Sequence, residues 1–229
     1  MRIFLCFFAL FLSIQCVFAA GVASGKLISQ AYSKSGNIFY TQNDGRIVRA
    51  TDSGKDSSPV LSSDGTMIAF VRIGNRISPS GCRDFADTPT KYGNQIWLYE
   101  LGAKKERLLV ENNFQCDKPE KKIVDPSGLQ FSPDNKTLYF IASAWVTSGA
   151  LHAVNVDGSN QHYVIPASSV EVVPRGQYKG YLIVQQHRYF VGGGSYDWLW
   201  LYTPQGHEEG PLGEDVTQDQ QEYLEMEVA

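Results

Sequence analysis

Cysteine is scarce in this chain of 229 residues: there are four, and Cys6 and Cys16 fall within the first twenty positions. The other two, Cys82 and Cys116, form no CxxC pair and have no histidine at ligand spacing, so a zinc site is not expected. Basic residues are few and scattered, 20 Lys and Arg against 24 Asp and Glu. The net charge of −4 leaves no basic stripe of the kind nucleic acid requires. Catalytic motifs are missing too. The run Gly192-Gly193-Gly194-Ser195-Tyr196-Asp197 lacks the second glycine and the strand-to-helix setting of a nucleophile elbow, and no Lys-Ser/Thr follows it to make a phosphate loop. No cofactor and no metal are therefore expected. His152, His162, His187 and His207 are isolated along the chain and read as solvated or strand-packed side chains.

What the sequence does have is repetition. Ser62-Ser63-Asp64-Gly65-Thr66-Met67-Ile68-Ala69-Phe70 and Ser132-Pro133-Asp134-Asn135-Lys136-Thr137-Leu138-Tyr139-Phe140 are two versions of one design about 70 residues apart. Each leaves an apolar strand end, turns through Ser-x-Asp-Gly or Ser-Pro-Asp-Asn, and enters a strongly apolar strand. Gly and Asn accept the positive φ of a tight turn, while Asp and Ser bond the backbone across it, so each stretch predicts a β-hairpin. Asp64 and Asp134 are thus turn residues rather than a carboxylate pair. A second repeated element is a strand ending in a turn glycine, over 45–54, 94–102, 149–158 and 196–206. Starts about 50 residues apart suit four-stranded propeller blades better than helix-pair solenoids.

The prediction is an all-β fold, a β-propeller of about four blades built from four-stranded antiparallel sheets, with strands lettered A to D. Blade three is the most legible, with strands over 128–131, 136–142, 149–156 and 161–165. Blade two reads as 59–61, 66–72, 94–101 and 107–110, and blade four as 170–173, 181–186 and 198–203 with no clear D strand. Blade one has strands over 27–31, 37–42 and 46–50, and the few residues between Gly54 and Pro59 leave no room for a fourth. Four blades is few for this repeat. The chain is open to closing as a small propeller, staying incomplete, or completing itself by strand exchange with another copy.

The Asp56-Ser57-Ser58-Pro59 approach, the Ser62-Ser63-Asp64-Gly65 turn, the Ile68-Ala69-Phe70-Val71 strand and the Asp157-Gly158-Ser159-Asn160-Gln161 turn resemble the repeats of TolB-type β-propellers. The resemblance implies a periplasmic protein of a Gram-negative cell and an envelope partner such as a peptidoglycan-associated lipoprotein. It carries over no individual contact residue.

Residues 1–19 read as a signal peptide: Met1-Arg2 is a basic start, Ile3 to Phe18 is nearly unbroken apolar sequence, and Val17-Phe18-Ala19 suits cleavage. That run is shorter than the roughly 20 residues a span needs, so no membrane span is expected after cleavage, although an uncleaved leader would tether the protein. The organisation is then a propeller over 20–213 and an acidic tail over 214–229. The tail reads as solvated, or as supplying a closing strand to blade one from Tyr223 to Val228. In an exported chain the two remaining cysteines, on loops that leave the same end of the ring, predict a Cys82–Cys116 disulfide. Closing a loop of about 35 residues would stabilise the fold by roughly 3–4 kcal/mol. Thiol labelling of the denatured, unreduced protein is expected to find no free thiol at either position; two free thiols would overturn the pairing.

The B–C and D–A loops share one end of a propeller, and here they are the long ones, over 73–93, 111–127, 143–148 and 187–195. They carry Arg76, Arg83, Asp84, Phe85, Tyr92, Phe114, Trp145, Arg188, Tyr189 and Phe190. Aromatic and arginine side chains on loops are the composition of interface anchors, and the same residues could instead pack the inserts onto the blade tops. The binding reading names Arg83, Trp145, Arg188, Tyr189 and Phe190 and predicts a non-catalytic, periplasmic or secreted propeller with a protein or peptide partner. The alternative is a carbohydrate-active lyase or glycosidase, which would need His152, His187 and Asp197 to converge on the central channel.

Overall fold

A computed structural model describes residues 28–77, 91–114 and 117–227. Among these residues fifteen strands form four antiparallel sheets in chain order. Blade one has three strands, β1 (Ile28–Lys34), β2 (Asn37–Gln42) and β3 (Ile47–Arg49). Blade two holds β4 (Asp56–Leu61), β5 (Met67–Ile77), β6 (Lys91–Glu100) and β7 (Lys105–Val110), and blade three β8 (Ser127–Phe131), β9 (Thr137–Ser143), β10 (Gly149–Asn155) and β11 (His162–Ala167). Blade four holds β12 (Ser169–Val172), β13 (Leu182–Tyr189), β14 (Ser195–Tyr202) and β15 (Glu208–Gly213). The fold is a four-bladed propeller whose first blade has no D strand among the described residues.

The repeated turns close as their residue types require. Ser62 donates its hydroxyl to Asp64 Oδ1 at 2.6 Å, which also accepts the Thr66 amide at 3.0 Å, while Ser62 Oγ accepts the Met67 amide at 2.9 Å. Ser132 and Asp134 repeat the pattern with the Thr137 and Lys136 amides. The Ser132 hydroxyl holds the Asp134 carboxyl below its ordinary pKa despite partial burial. Gly65 and Asn135 occupy the same left-handed position, φ +69° and +58°. The two turns also touch, the Ser63 amide donating to Asn135 Oδ1 at 2.9 Å.

The central strands of blades two and three are apolar on both faces because each of these blades is sandwiched between two neighbours. Ile68 and Phe70 pack with Ile38 and Tyr40 in the seam between blades one and two. Ala69 and Val71, on the opposite face of β5, meet Leu138, Phe140 and Ala142 across the next seam. Tyr139 and Ile141 then meet Leu182, Val184 and Trp200 of blade four. One polar cluster interrupts this pattern. Arg72 binds Asp56 through Nε and Nη2 at 2.6 and 3.0 Å and Glu106 through Nη1 and Nη2 at 3.0 and 2.8 Å, with its guanidinium 4.2 Å from the Trp97 ring centroid. Burial opposes the charge, but the two carboxylates outweigh it and hold Arg72 above its ordinary pKa.

Three readings of the sequence change. Blade four has a D strand, β15, in a segment too rich in Gly and Pro to show alternation. Strands β5 and β6 run to Ile77 and Lys91, and β13 runs to Tyr189, so the B–C connections are shorter than loop-rich sequence suggested. The acidic tail is neither solvated throughout nor a closing strand, since Gln218–Glu225 form helix α1. Thr217 caps it, bonding the Gln220 amide while the Gln220 side chain returns to the Thr217 amide. Leu224 is buried against Val173, Ile183 and Leu201. Ile183 and Leu201 are on the face of blade four turned away from blade three, where a following blade would pack. Gly176 lets α1 approach: at φ +77° a Cβ there would sit 2.3 Å from the Glu225 carbonyl carbon. Among the described residues no helix is long and apolar enough to cross a membrane.

Candidate functional site

All B–C turns of an up-and-down propeller leave the same end of the ring, and three of them are described in full, over 43–46, 144–148 and 190–194; the last two carry exposed aromatic side chains. Between β9 and β10 the chain turns over 144–148, closed by the Trp145 amide bonding the Ser148 carbonyl at 2.8 Å. Trp145 is 41% exposed and Val146 fully so. The indole meets Tyr163 edge-on at 6.3 Å, which fixes its tilt while leaving one side open. Beneath it lies a cleft of about 310 Å³ lined by Asp125, Ser127, Trp145, Ser148 and Ser168 among others.

Between β13 and β14 the turn depends on glycine. Gly192, Gly193 and Gly194 have φ +100°, +112° and +85°, a run of left-handed backbone that other residues would strain. The Phe190 amide bonds the Gly194 carbonyl at 3.1 Å, and the Phe190 ring leans on Tyr196 at 4.6 Å. Tyr189 is 68% exposed, Phe190 54%, and Val191 lies wholly in solvent. Trp145, Tyr189 and Phe190 are therefore brought to one end of the ring, each tethered by one ring contact and otherwise open.

Arg188 is placed differently. It is on strand β13, facing blade three, with its guanidinium 3.4 Å from the Trp200 ring centroid. It donates to Gln186 Oε1, to the Tyr202 hydroxyl at 2.7 Å and to Glu208. Its Nε and Nη2 donors are engaged within the blade, so Arg188 braces β13 against β14 and β15 rather than standing free as an anchor. The sequence could not separate it from Tyr189, because alternation along a strand sends adjacent residues to opposite faces. Phe114 is half-buried. Arg83, Asp84, Phe85, Cys82 and Cys116 lie outside the described residues.

The histidines do not converge. His187 Nδ1 is 2.9 Å from Asp197 Oδ1 on the face of blade four turned away from blade three. His152 is buried at the seam of blades two and three, stacked on Phe140 at 5.2 Å between centroids. Burial, with the nearby His162, pushes the His152 pKa down to about 4. The unfolded chain protonates near 6.5, so this contribution to stability is complete above that pH and is lost as pH falls toward 4. Among the described residues no group of three or more His, Cys, Asp or Glu could hold a metal ion.

No family model matches the chain. No curated protein matches it. Solved structures do resemble it in fold. Porphyromonas gingivalis dipeptidyl peptidase 4 is 12% identical with a TM-score of 0.52, over 81% of this chain and 31% of its own. TolB from Acinetobacter baumannii is 13% identical with a TM-score of 0.48, over 77% and 37%. The β-propeller domain of the Trilobed protease from Pyrococcus furiosus is 13% identical with a TM-score of 0.49, over 80% and 56%. The chain thus spans between about a third and a little over half of the length of these structures, and at such identities what it is similar to is their fold: a β-propeller, among whose structural neighbours are TolB and peptidases.

Proposed function

We propose that the protein is an exported, non-catalytic β-propeller that binds a protein or peptide partner in the cell envelope through the end of the ring bearing its B–C and D–A connections. The observation that carries this reading is the apolar group on two B–C turns: Trp145 with Val146, and Tyr189 and Phe190 with Val191. Large apolar side chains held in water on tight turns contribute nothing to the core, and their exposure is relieved when a partner covers them. Aromatic anchors also lose little rotamer entropy on binding. The sequence reading also names Arg83, which is outside the described residues, whereas Arg188 is left out because its Nε and Nη2 donors are already engaged. The apolar leader and the TolB-type repeats support the periplasm, or secretion, as the compartment. The repeats also support an envelope component as the partner.

A lyase or glycosidase in the central channel is the weaker reading. Such chemistry needs an acid and a base on either side of one bond. His152 lies at the seam of blades two and three, while the His187–Asp197 pair is beyond blade four's core face.

The test is capture from envelope extract with wild type and with Trp145→Ala/Tyr189→Ala as bait. Captured partner is expected to fall at least tenfold while the unfolding midpoint barely moves. Undiminished capture by the folded double variant would remove this end of the ring as the binding site.

A further inference from the structure

A second concavity lies where the connection between blades two and three crosses blade three, and Tyr163, whose ring meets that of Trp145, is part of its lining. A two-residue bridge between Asn113 and Ile123 pins that connection, the amides donating to opposite carbonyls at 3.1 and 2.8 Å. Between the 3-10 turn Pro119–Lys121 and strands β10 and β11 it leaves a cavity of about 370 Å³. Glu120, Lys121, Gln161, His162 and Tyr163 line it together with His152. That volume is near the lower end of the roughly 300–1,000 Å³ in which small ligands bind.

His152 is 2% exposed, and its Nε2 has no hydrogen-bond partner among the described residues. Buried polar atoms are nearly always paired, so the orphan nitrogen of a residue that lines a cavity points to a missing partner. Its chemistry is constrained. A hydroxyl both donates and accepts, and so satisfies Nε2 in either imidazole tautomer. Glu120 and Lys121 are adjacent and opposite in charge, so the lining selects neither an anion nor a cation. The Gln161 amide can bond a hydroxyl from either side, and burial together with Glu120 pushes the Tyr163 pKa up to about 12, keeping that phenol protonated as donor and acceptor. The Tyr163 and His152 rings meet edge to face at 6.0 Å and supply an apolar wall. Alternating hydroxyls on a ring with C–H faces match this lining.

We propose that the cavity bounded by His152, Gln161 and Tyr163 is a binding site for an uncharged sugar residue, distinct from the Tyr189 and Phe190 turn of blade four. The shared chemistry is a pyranose ring, free or as the end of an envelope glycan.

The mature protein, labelled with 15N in histidine, is titrated with glucose, N-acetylglucosamine and glycerol, and saturation transfer to the sugar protons is read in parallel. A saturable change in the His152 ring signals at millimolar glucose or N-acetylglucosamine, absent with glycerol, is the expected result. His152→Phe keeps the stack on Phe140 and removes the orphan nitrogen, and should weaken sugar binding at least tenfold. Gln161→Ala, at an exposed position, provides the same comparison if that variant does not fold. Tyr189→Ala should bind sugar as wild type does, so failure of the partner-binding proposal leaves this one standing, and the reverse. Tighter binding of N,N′-diacetylchitobiose than of the monosaccharide would identify a glycan end, and equal binding a free sugar; either supports the site. No saturable change, an equal change with glycerol, or undiminished binding in the folded variants would overturn it and leave a cavity that holds ordered water only.

Discussion

Replacing Arg72 with methionine is expected to destabilise the protein by about 3–5 kcal/mol, the range for breaking a buried ion pair from one side. The Asp56 side chain is completely enclosed, and Arg72 is its only ion-pair partner among the described residues, occupying both carboxylate oxygens. Methionine roughly conserves the length of the side chain that lies over Trp97, so the loss measures chiefly the charge left behind. The pairing also ties three strands together, because Asp56 is on β4, Arg72 on β5 and Glu106 on β7. Adding Asp56→Asn to Arg72→Met should recover part of the loss by removing the stranded carboxylate, and Glu106→Gln alone should cost far less because Glu106 is partly solvated. Urea melts of the three variants check this. A loss below about 1 kcal/mol for Arg72→Met would mean that water reaches Asp56.

Phe70→Ala and Phe140→Ala should each cost about 3–5 kcal/mol, from lost burial and from the cavity left in a seam that relaxes only partly. Both rings are fully buried at equivalent places on their B strands, each turned toward the preceding blade. They belong to different clusters and share no partner there, so the loss in the double variant should approach the sum of the two. Equilibrium melts test each loss and their additivity. Losses under 1 kcal/mol at both positions would require a different strand register. A double variant much less destabilised than the sum would show that one seam had already opened.

Much of this architecture was legible along the chain. The Ser-x-Asp-Gly and Ser-Pro-Asp-Asn turns were readable because their bonds run between residues two to five apart, within reach of one turn whatever surrounds them. The inner strands of blades two and three stood out because both faces are buried, and the short stretch after Gly54 already left no place for a D strand in blade one. β15 was hidden because an outer edge strand is paired on one side only and tolerates Gly210, Pro211 and Gly213. α1 was hidden because it buries chiefly Leu224 and so has no apolar stripe, although Thr217 and Gln220 spelled its capping box.

The sequence by itself therefore determined the repeat, the turn types and the apolar strands, all properties of interactions between near neighbours. Tertiary structure alone decided which blade faces meet, and that α1 covers the last of them. It also decided that Arg188 is spent within its blade while its neighbour Tyr189 is exposed, and that Asp56, Arg72 and Glu106 form one buried cluster. The physical reason is reach. These outcomes join residues far apart in the chain, from 14 positions for Arg188 and Tyr202 to 50 for Arg175 and Glu225, and which polar group is stranded or satisfied depends on the strand that packs beside it rather than on its neighbours in the chain.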